Sequence, residues 1–253
     1  MLQPLASEKP ARARPVSLAA PVVLNEHVHD RYWRLRLDAP QIAAVARAGQ
    51  FVLLTPSHTP TAGPSLPRPM AVYDVDRSTG VLDILYGVVG EGTSQLTTFR
   101  RGESMTVVGP LGRPFQLPAQ IDRLLLVGRG IGTCSLTLLA REQAESGVAV
   151  SALLSGRRRE AIVGADLSAR LGAQVSTVSD EEGTSSVERV RSLLLSQHDA
   201  APPQLVATCG SERLLMLCRE LRARWRCEAQ ASVEAHMACG LGYCHGCAAG
   251  QQG

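Results

Sequence analysis

The sequence predicts a β-barrel plus α/β architecture: a small antiparallel barrel, then a doubly wound parallel-sheet domain, then a small C-terminal cysteine loop segment. Three observations predict it. Period-two alternation fills the first half, strands alternate with helical stretches from about residue 121, and three of the seven cysteines fall within the last fifteen residues. A chain of 253 residues can bury two modest cores. The expected divisions are 1–16, a polar and Pro-punctuated disordered tail; 17–118, the barrel; 119–228, the α/β domain; and 229–253, the cysteine segment.

The barrel half is written in short strands. Trp33, Leu35 and Leu37 alternate with Arg34 and Arg36, and Leu82, Ile84 and Tyr86 alternate with Asp83 and Leu85, as half-buried strands do. Turn-rich segments, 57–67 and 109–114, punctuate them. From Arg123 to Val127 runs a continuous apolar strand, followed by a glycine turn and a helix to about Glu145. The series continues with a strand at 148–154, a helix near Ala161 to Leu171, a strand at 175–178, a helix at 187–196, a strand at 205–208 and a helix at 211–225. Strands alternating with helices give a parallel sheet covered on both faces.

Composition excludes several classes. The formal charge of +3 is small and dispersed, and Lys9 is the only lysine, so no nucleic-acid partner is expected. The longest apolar stretch, Leu124 to Ala140, is broken by Arg129 and glycines and is no membrane span. The run from Val16 to Leu24 superficially resembles a signal peptide, yet prolines interrupt it and it passes directly into strand-like sequence. Seven cysteines that look like metal ligands and scattered thiols, rather than a disulfide framework, agree with a cytoplasmic address.

The most informative string is Met237-Ala238-Cys239-Gly240-Leu241-Gly242-Tyr243-Cys244-His245-Gly246-Cys247. Its C-x4-C-x2-C spacing is the plant-type ferredoxin arrangement, in which a tight loop folds thiolates around two irons of a [2Fe-2S] cluster. Gly240, Gly242 and Gly246 suit a loop that needs positive-φ positions and N–H groups aimed at sulfur. Zinc is the alternative, but structural zinc loops usually present C-x2-C twice and one such pair occurs here. Cys239, Cys244 and Cys247 are therefore the expected metal ligands. A [2Fe-2S] cluster takes four ligands, so the segment reads as incomplete. The fourth cysteine is expected beyond Gly253, with loss of the cluster as the rival reading.

Two further groups of residues suit phosphate. Arg68-Pro69-Met70-Ala71 follows Gly49-Gln50-Phe51-Val52, and Leu85-Tyr86-Gly87 leads into Gly90-Glu91-Gly92-Thr93. An arginine at a strand start can pair with a pyrophosphate, and a Gly-x-Gly-Thr turn offers N–H groups and a hydroxyl to the same anion. Gly128-Arg129-Gly130-Ile131-Gly132, between a strand and a helix, can cradle a second pyrophosphate. Arg157, Arg158 and Arg159 follow the second strand of the sheet, where an adenosine ribose would lie; they suit a 2′-phosphate or are a solvated run.

Taken in order with the cysteines, these strings resemble the ferredoxin-reductase superfamily and, within it, the electron-transfer subunits of NAD-linked dihydroorotate dehydrogenases. The resemblance runs from about Ala20 to Gly253. It implies FAD bound by Arg68, Pro69, Met70, Ala71, Leu85, Tyr86, Gly87, Gly92 and Thr93. It implies NAD(P) bound by Gly128, Gly130 and Gly132, with Cys209-Gly210 near the nicotinamide. Ala71 stands where that family has a serine near flavin N5, Gly87 where a basic residue is common, and Arg129 and Ser135 depart from its glycine turn and following proline. The implied chemistry moves electrons between a nicotinamide, FAD and the cluster, with FAD converting two-electron into one-electron transfer. No Ser-His-Asp or paired-carboxylate constellation is present, so no catalytic residue is assigned. The implied partner is a flavoprotein dehydrogenase catalytic subunit in a heterotetramer. The alternatives are a reductase subunit for a different oxidoreductase and a structural or regulatory subunit whose redox sites have decayed.

Overall fold

The computed structural model describes residues 13–58 and 66–247, with backbone alone at 167–169. Most of the tail expected at 1–16 lies outside the described residues, and β1 already begins at Val16. The first seven strands are β1 (Val16–His29), β2 (Tyr32–Asp38), β3 (Phe51–Leu54), β4 (Arg68–Ala71), β5 (Asp74–Asp76), β6 (Val81–Gly87) and β7 (Ser104–Leu111). Two short helices accompany them, α1 (Pro40–Ala43) and α2 (Glu91–Leu96).

These strands form one antiparallel sheet in the order β4-β3-β7-β1-β2-β6-β5. The long strand β1 serves two neighbours: Val16 to Pro21 pair with β7, and Val22 to His29 with β2, with a register shift between Val22 and Leu24. Such a shift bends a strand and coils its sheet. The two edge strands, β4 and β5, are joined through Val72 and Tyr73. The Val72 N–H donates to Gln50 O at 3.0 Å, and the next N–H, of Tyr73, donates to Asp83 O at 3.0 Å. Neighbouring residues thus stitch opposite ends of the sheet, and the barrel closes through the chain itself.

The second half supplies β8 (Arg123–Arg129), α3 (Cys134–Glu145), β9 (Ala149–Gly156), α4 (Ala165–Arg170), β10 (Gln174–Ser179), α5 (Val187–His198), β11 (Leu205–Cys209), α6 (Glu212–Trp225) and β12 (Glu228–Ser232). All pairs are parallel, in the order β10-β9-β8-β11-β12. Alternate residues of β8 feed opposite faces: Leu124 and Leu126 pack with α3, whereas Leu125 and Val127 pack with α5 and α6. The sheet is therefore doubly wound. Its α3 face shares one continuous core with the barrel, where Leu35, Ile84 and Phe99 are buried with Leu136 and Leu139.

Several elements differ from the sequence reading, and β7 runs to Leu111, into the turn expected at 109–114. The helix expected from Ala161 starts only at Ala165, because Gly164 takes a φ of +84° that no helix accepts. β12 was not anticipated, and it carries the sheet into the segment assigned to the cysteines. Its sequence, Glu-Ala-Gln-Ala-Ser, is too polar to announce a strand, which an edge position tolerates. Among the described residues no helix is long and apolar enough to cross a membrane.

Candidate functional site

The two strings expected to hold one dinucleotide meet in space. Arg68 opens β4 and Gly92 lies in the first turn of α2, and the guanidinium of Arg68 fills the space that a Cβ at 92 would take. Arg68 Nη1 also donates to Leu66 O at 2.8 Å. The cation rests on bare backbone, an arrangement only glycine permits. The Thr93 hydroxyl is used within the turn instead of facing a ligand: Oγ1 accepts from the N–H groups of Val89 at 2.9 Å and Gly90 at 3.2 Å. It also donates to Gly90 O at 3.0 Å, which fixes the turn's shape.

The Leu85-Tyr86-Gly87 string divides by strand alternation. Tyr86 points into the barrel core at 1% exposure, its hydroxyl donating to Asn25 Oδ1 at 3.2 Å, and burial drives its pKa far up. Only its backbone is open to a ligand, which the sequence pattern did not distinguish. Leu85 points the other way, into a cluster with Tyr32 and Tyr73 of the barrel and Cys134, Ala161 and Val163 of the α/β half. Ala71 and Ile131 pack against the same cluster. Met70 packs on the barrel core, Pro69 pairs opposite Leu53, and the Tyr32 ring lies over Gly87.

The glycine turn follows β8 as a single 3-10 turn, Gly130–Thr133, before α3. Each of its glycines has a separate steric reason. Gly128 leaves room for the Thr133 hydroxyl, Gly130 has a φ of +54°, and a Cβ at Gly132 would stand 2.5 Å from Gly210 Cα. Gly210 itself, φ +92°, follows Cys209 at the end of β11. The expected nucleotide residues thus converge where β8 and β11 part, the switch point at which α/β sheets take ligands. Cys209 is buried, and desolvation raises its thiol pKa. Ser135 stays local, donating to Gly132 O at 2.9 Å.

Arg129 neither projects as a free cation nor fills the turn. Its Nη1 donates to Ser155 Oγ at 2.7 Å and its Nη2 to Asp180 Oδ2 at 2.6 Å, across the ends of β9 and β10. Asp180 also accepts from the Ser185 hydroxyl, and the two donors hold its carboxyl below the usual range. Sequence reasoning gave Asp180 no role, although an acid just past a parallel strand end was its signal. Two of the three arginines after β9 are also committed: Arg158 pairs with Asp30 at 3.1 Å, and Arg159 with Glu182 at 3.1 Å. Arg157 is exposed and has no carboxylate partner among the described residues.

Replacing Arg129 by glycine is expected to cost about 1 kcal/mol at neutral pH, because Asp180 is exposed enough for solvent to screen the pair. Asp180 has a lowered folded pKa, so its contribution is complete above the ordinary carboxylate value of about 4 and fades as pH falls. Urea titrations of both proteins should therefore differ at pH 7, and the difference should shrink as pH falls below about 4; equal stability at pH 7 would contradict the pairing.

The first residues of the cysteine segment form the sheet edge itself, as part of β12. β12 runs beside β11, and the chain then crosses to the barrel, where Gly240, φ +64°, lies against Leu53 of β3. The Leu241 N–H approaches Cys239 Sγ at 3.4 Å. N–H groups of Cys244, Leu241 and Tyr243 together lower the Cys239 pKa to about 6, favouring a thiolate. This donor chemistry fits a metal-bound cysteine. Cys244 adjoins Cys239, but among the described residues no three potential ligands are gathered in one place, so Cys247 stands apart from the pair.

No protein-family profile matches the chain. Among curated proteins it is 30% identical, over 85% of its length and 81% of the relative's, to the dihydroorotate dehydrogenase B (NAD(+)) electron transfer subunit of Desulforamulus reducens. It is also 30% identical over 89% of its length to that of Streptococcus pneumoniae, covering 86% of the relative. Among solved structures, the NADH-dependent reduced ferredoxin-NADP oxidoreductase matches with a TM-score of 0.75 at 22% identity, over 91% of this chain and 81% of that one. Phthalate dioxygenase reductase matches with a TM-score of 0.63 at 19% identity, over 85% and 68% of the two chains. These structures share the fold, a barrel followed by a doubly wound domain, and the sequence relatives fix the kinship: the chain belongs to the family of dihydroorotate dehydrogenase B electron transfer subunits.

Proposed function

We propose that this chain, an electron transfer subunit of the oxidoreductase class, binds FAD on its barrel, NAD(P) at the β8–β11 switch point and a [2Fe-2S] cluster on its cysteine segment. One observation carries the reading. The cluster of Tyr32, Tyr73 and Leu85 with Cys134, Ala161 and Val163 joins the flavin string to the nucleotide turn across a water-poor seam. Bound there, a flavin would supply the conversion between two-electron exchange with a nicotinamide and one-electron exchange with an iron–sulfur centre.

The protein's own residues position these groups. Arg68 and the first turn of α2 offer charge and N–H groups to the flavin's pyrophosphate. Gly132 and Gly210 pack backbone on backbone, which sets the turn after β8 beside the end of β11 and Cys209, and Gly130 leaves open space on that turn for the nucleotide. Ala71 offers no hydroxyl to the flavin, so the seam orients the ring by shape. Cys239, Cys244 and Cys247 supply thiolates to the cluster.

An electron transfer subunit works with a catalytic subunit, which we take to be a flavoprotein dehydrogenase oxidising dihydroorotate, joined with this chain as a cytoplasmic heterotetramer. Val233, Leu241 and Tyr243, exposed at 63%, 62% and 87%, support docking of that partner along the cysteine segment. Substituting Cys239, Cys244 or Cys247 singly by serine is expected to remove most iron and the cluster's visible absorbance while the flavin content stays. Anaerobic purification with metal analysis checks this. Iron unchanged in all three variants would defeat the cluster assignment, and a colourless wild-type complex would defeat the whole reading.

A further inference from the structure

We propose that Arg31 is a second cation that anchors the flavin dinucleotide, at the Gly87 end of the turn whose other end carries Arg68; the proposal rests on the flavin reading above. Arg31 sits at the tip of the β1–β2 hairpin, just after Asp30, whose φ is +50°. Its carbonyl accepts the Val88 N–H at 2.8 Å, which ties the tip to the end of β6. Its Nε lies 3.8 Å from where a Cβ on Gly87 would stand, and its guanidinium carbon is 5.8 Å from the centroid of the Tyr32 ring. The guanidinium is held over the Gly87 backbone and stacked on an aromatic face.

The charge there is uncommitted. Among the described residues Arg31 has no carboxylate partner, whereas Arg34 and Arg36 on the same hairpin are both bound to Asp83, at 2.6 Å and 3.0 Å. The carboxylate next to it in sequence, Asp30, is taken by Arg158. Between Gly87 and Gly92 the turn is kept rigid by Thr93, so the separation of Arg31 and Arg68 is set by the fold. Gly87 brings no side chain of its own, and the cation at that end comes from the hairpin instead. Two guanidinium groups with no carboxylate partner among the described residues bracket one rigid turn; they suit a ligand with extended negative charge, and a flavin dinucleotide has that form.

The test is a fluorescence titration of the deflavinated full chain with FAD, using Arg31→Ala, Arg31→Lys and Arg68→Ala with thermal melts of each. The expected result is affinity weakened about tenfold or more in Arg31→Ala and within about threefold of wild type in Arg31→Lys, with unchanged melting temperatures. Affinity in Arg31→Ala equal to wild type, while Arg68→Ala is weakened, overturns the role of Arg31 alone. An equal loss in the alanine and lysine variants also overturns it, because charge would then not be the cause. Wild-type protein that takes up no FAD overturns the flavin reading itself.

Discussion

Gly210→Ala is expected to lower the melting temperature by about 8 °C and to abolish nucleotide-dependent reduction of the protein. Two separate penalties add. At φ +92° a Cβ strains the backbone by about 1–2 kcal/mol. The new methyl is also driven into the carbonyl of Arg129 and stands 3.2 Å from Gly132 Cα, and overpacking against backbone costs about 1–3 kcal/mol. A total near 3 kcal/mol moves the midpoint of a protein this long by roughly 6–12 °C. No side chain can swing away to relieve the clash, so the turn after β8 must shift, and with it the N–H groups proposed to face the nucleotide. Calorimetry and anaerobic reduction by NADH or NADPH check the two halves; a variant that melts and is reduced like wild type would show that the loops do not touch.

Gly92→Ala is expected to do the reverse, leaving the fold intact and damaging the site. The atom its methyl meets is the end of a flexible arginine, which moves cheaply, and alanine in the first turn of α2 favours the helix by up to about 1 kcal/mol. The melting temperature should hold or rise. Flavin affinity should nevertheless fall by about tenfold or more, because Arg68 loses its seat on the backbone and with it a charge-assisted contact. The same titration with FAD decides it, and unchanged affinity would remove Arg68 from the site. The contrast between positions 92 and 210 separates a methyl that meets a flexible side chain from one that meets backbone.

Much of this was legible in the sequence. Alternation in 33–37 and 82–86 gave the barrel strands, and the apolar run at 123–127 followed by glycines gave β8 and its turn. The glycine turn and the family resemblance together pointed to residues that prove to be steric neighbours, Gly132 and Gly210, although 78 positions separate them. What stayed hidden depends on partners that pattern cannot supply. Tyr86 looked like a site residue, but a strand residue's face is set by the sheet around it, and its ring belongs to the core. Arg129 looked like an intruder in a phosphate turn until Ser155 and Asp180 were seen to receive it. The edge strand β12 carries no periodic signal of its own, since pairing with β11 makes it a strand.

The cysteine segment is fastened at both ends, to the α/β sheet through β12 and to the barrel through Gly240 on Leu53. The seven residues from 233 to 239 between those fastenings span at most about 25 Å when stretched. A strap of that length limits how far the two halves can hinge apart. Metal bound on the strap would stay tethered to both halves of the molecule.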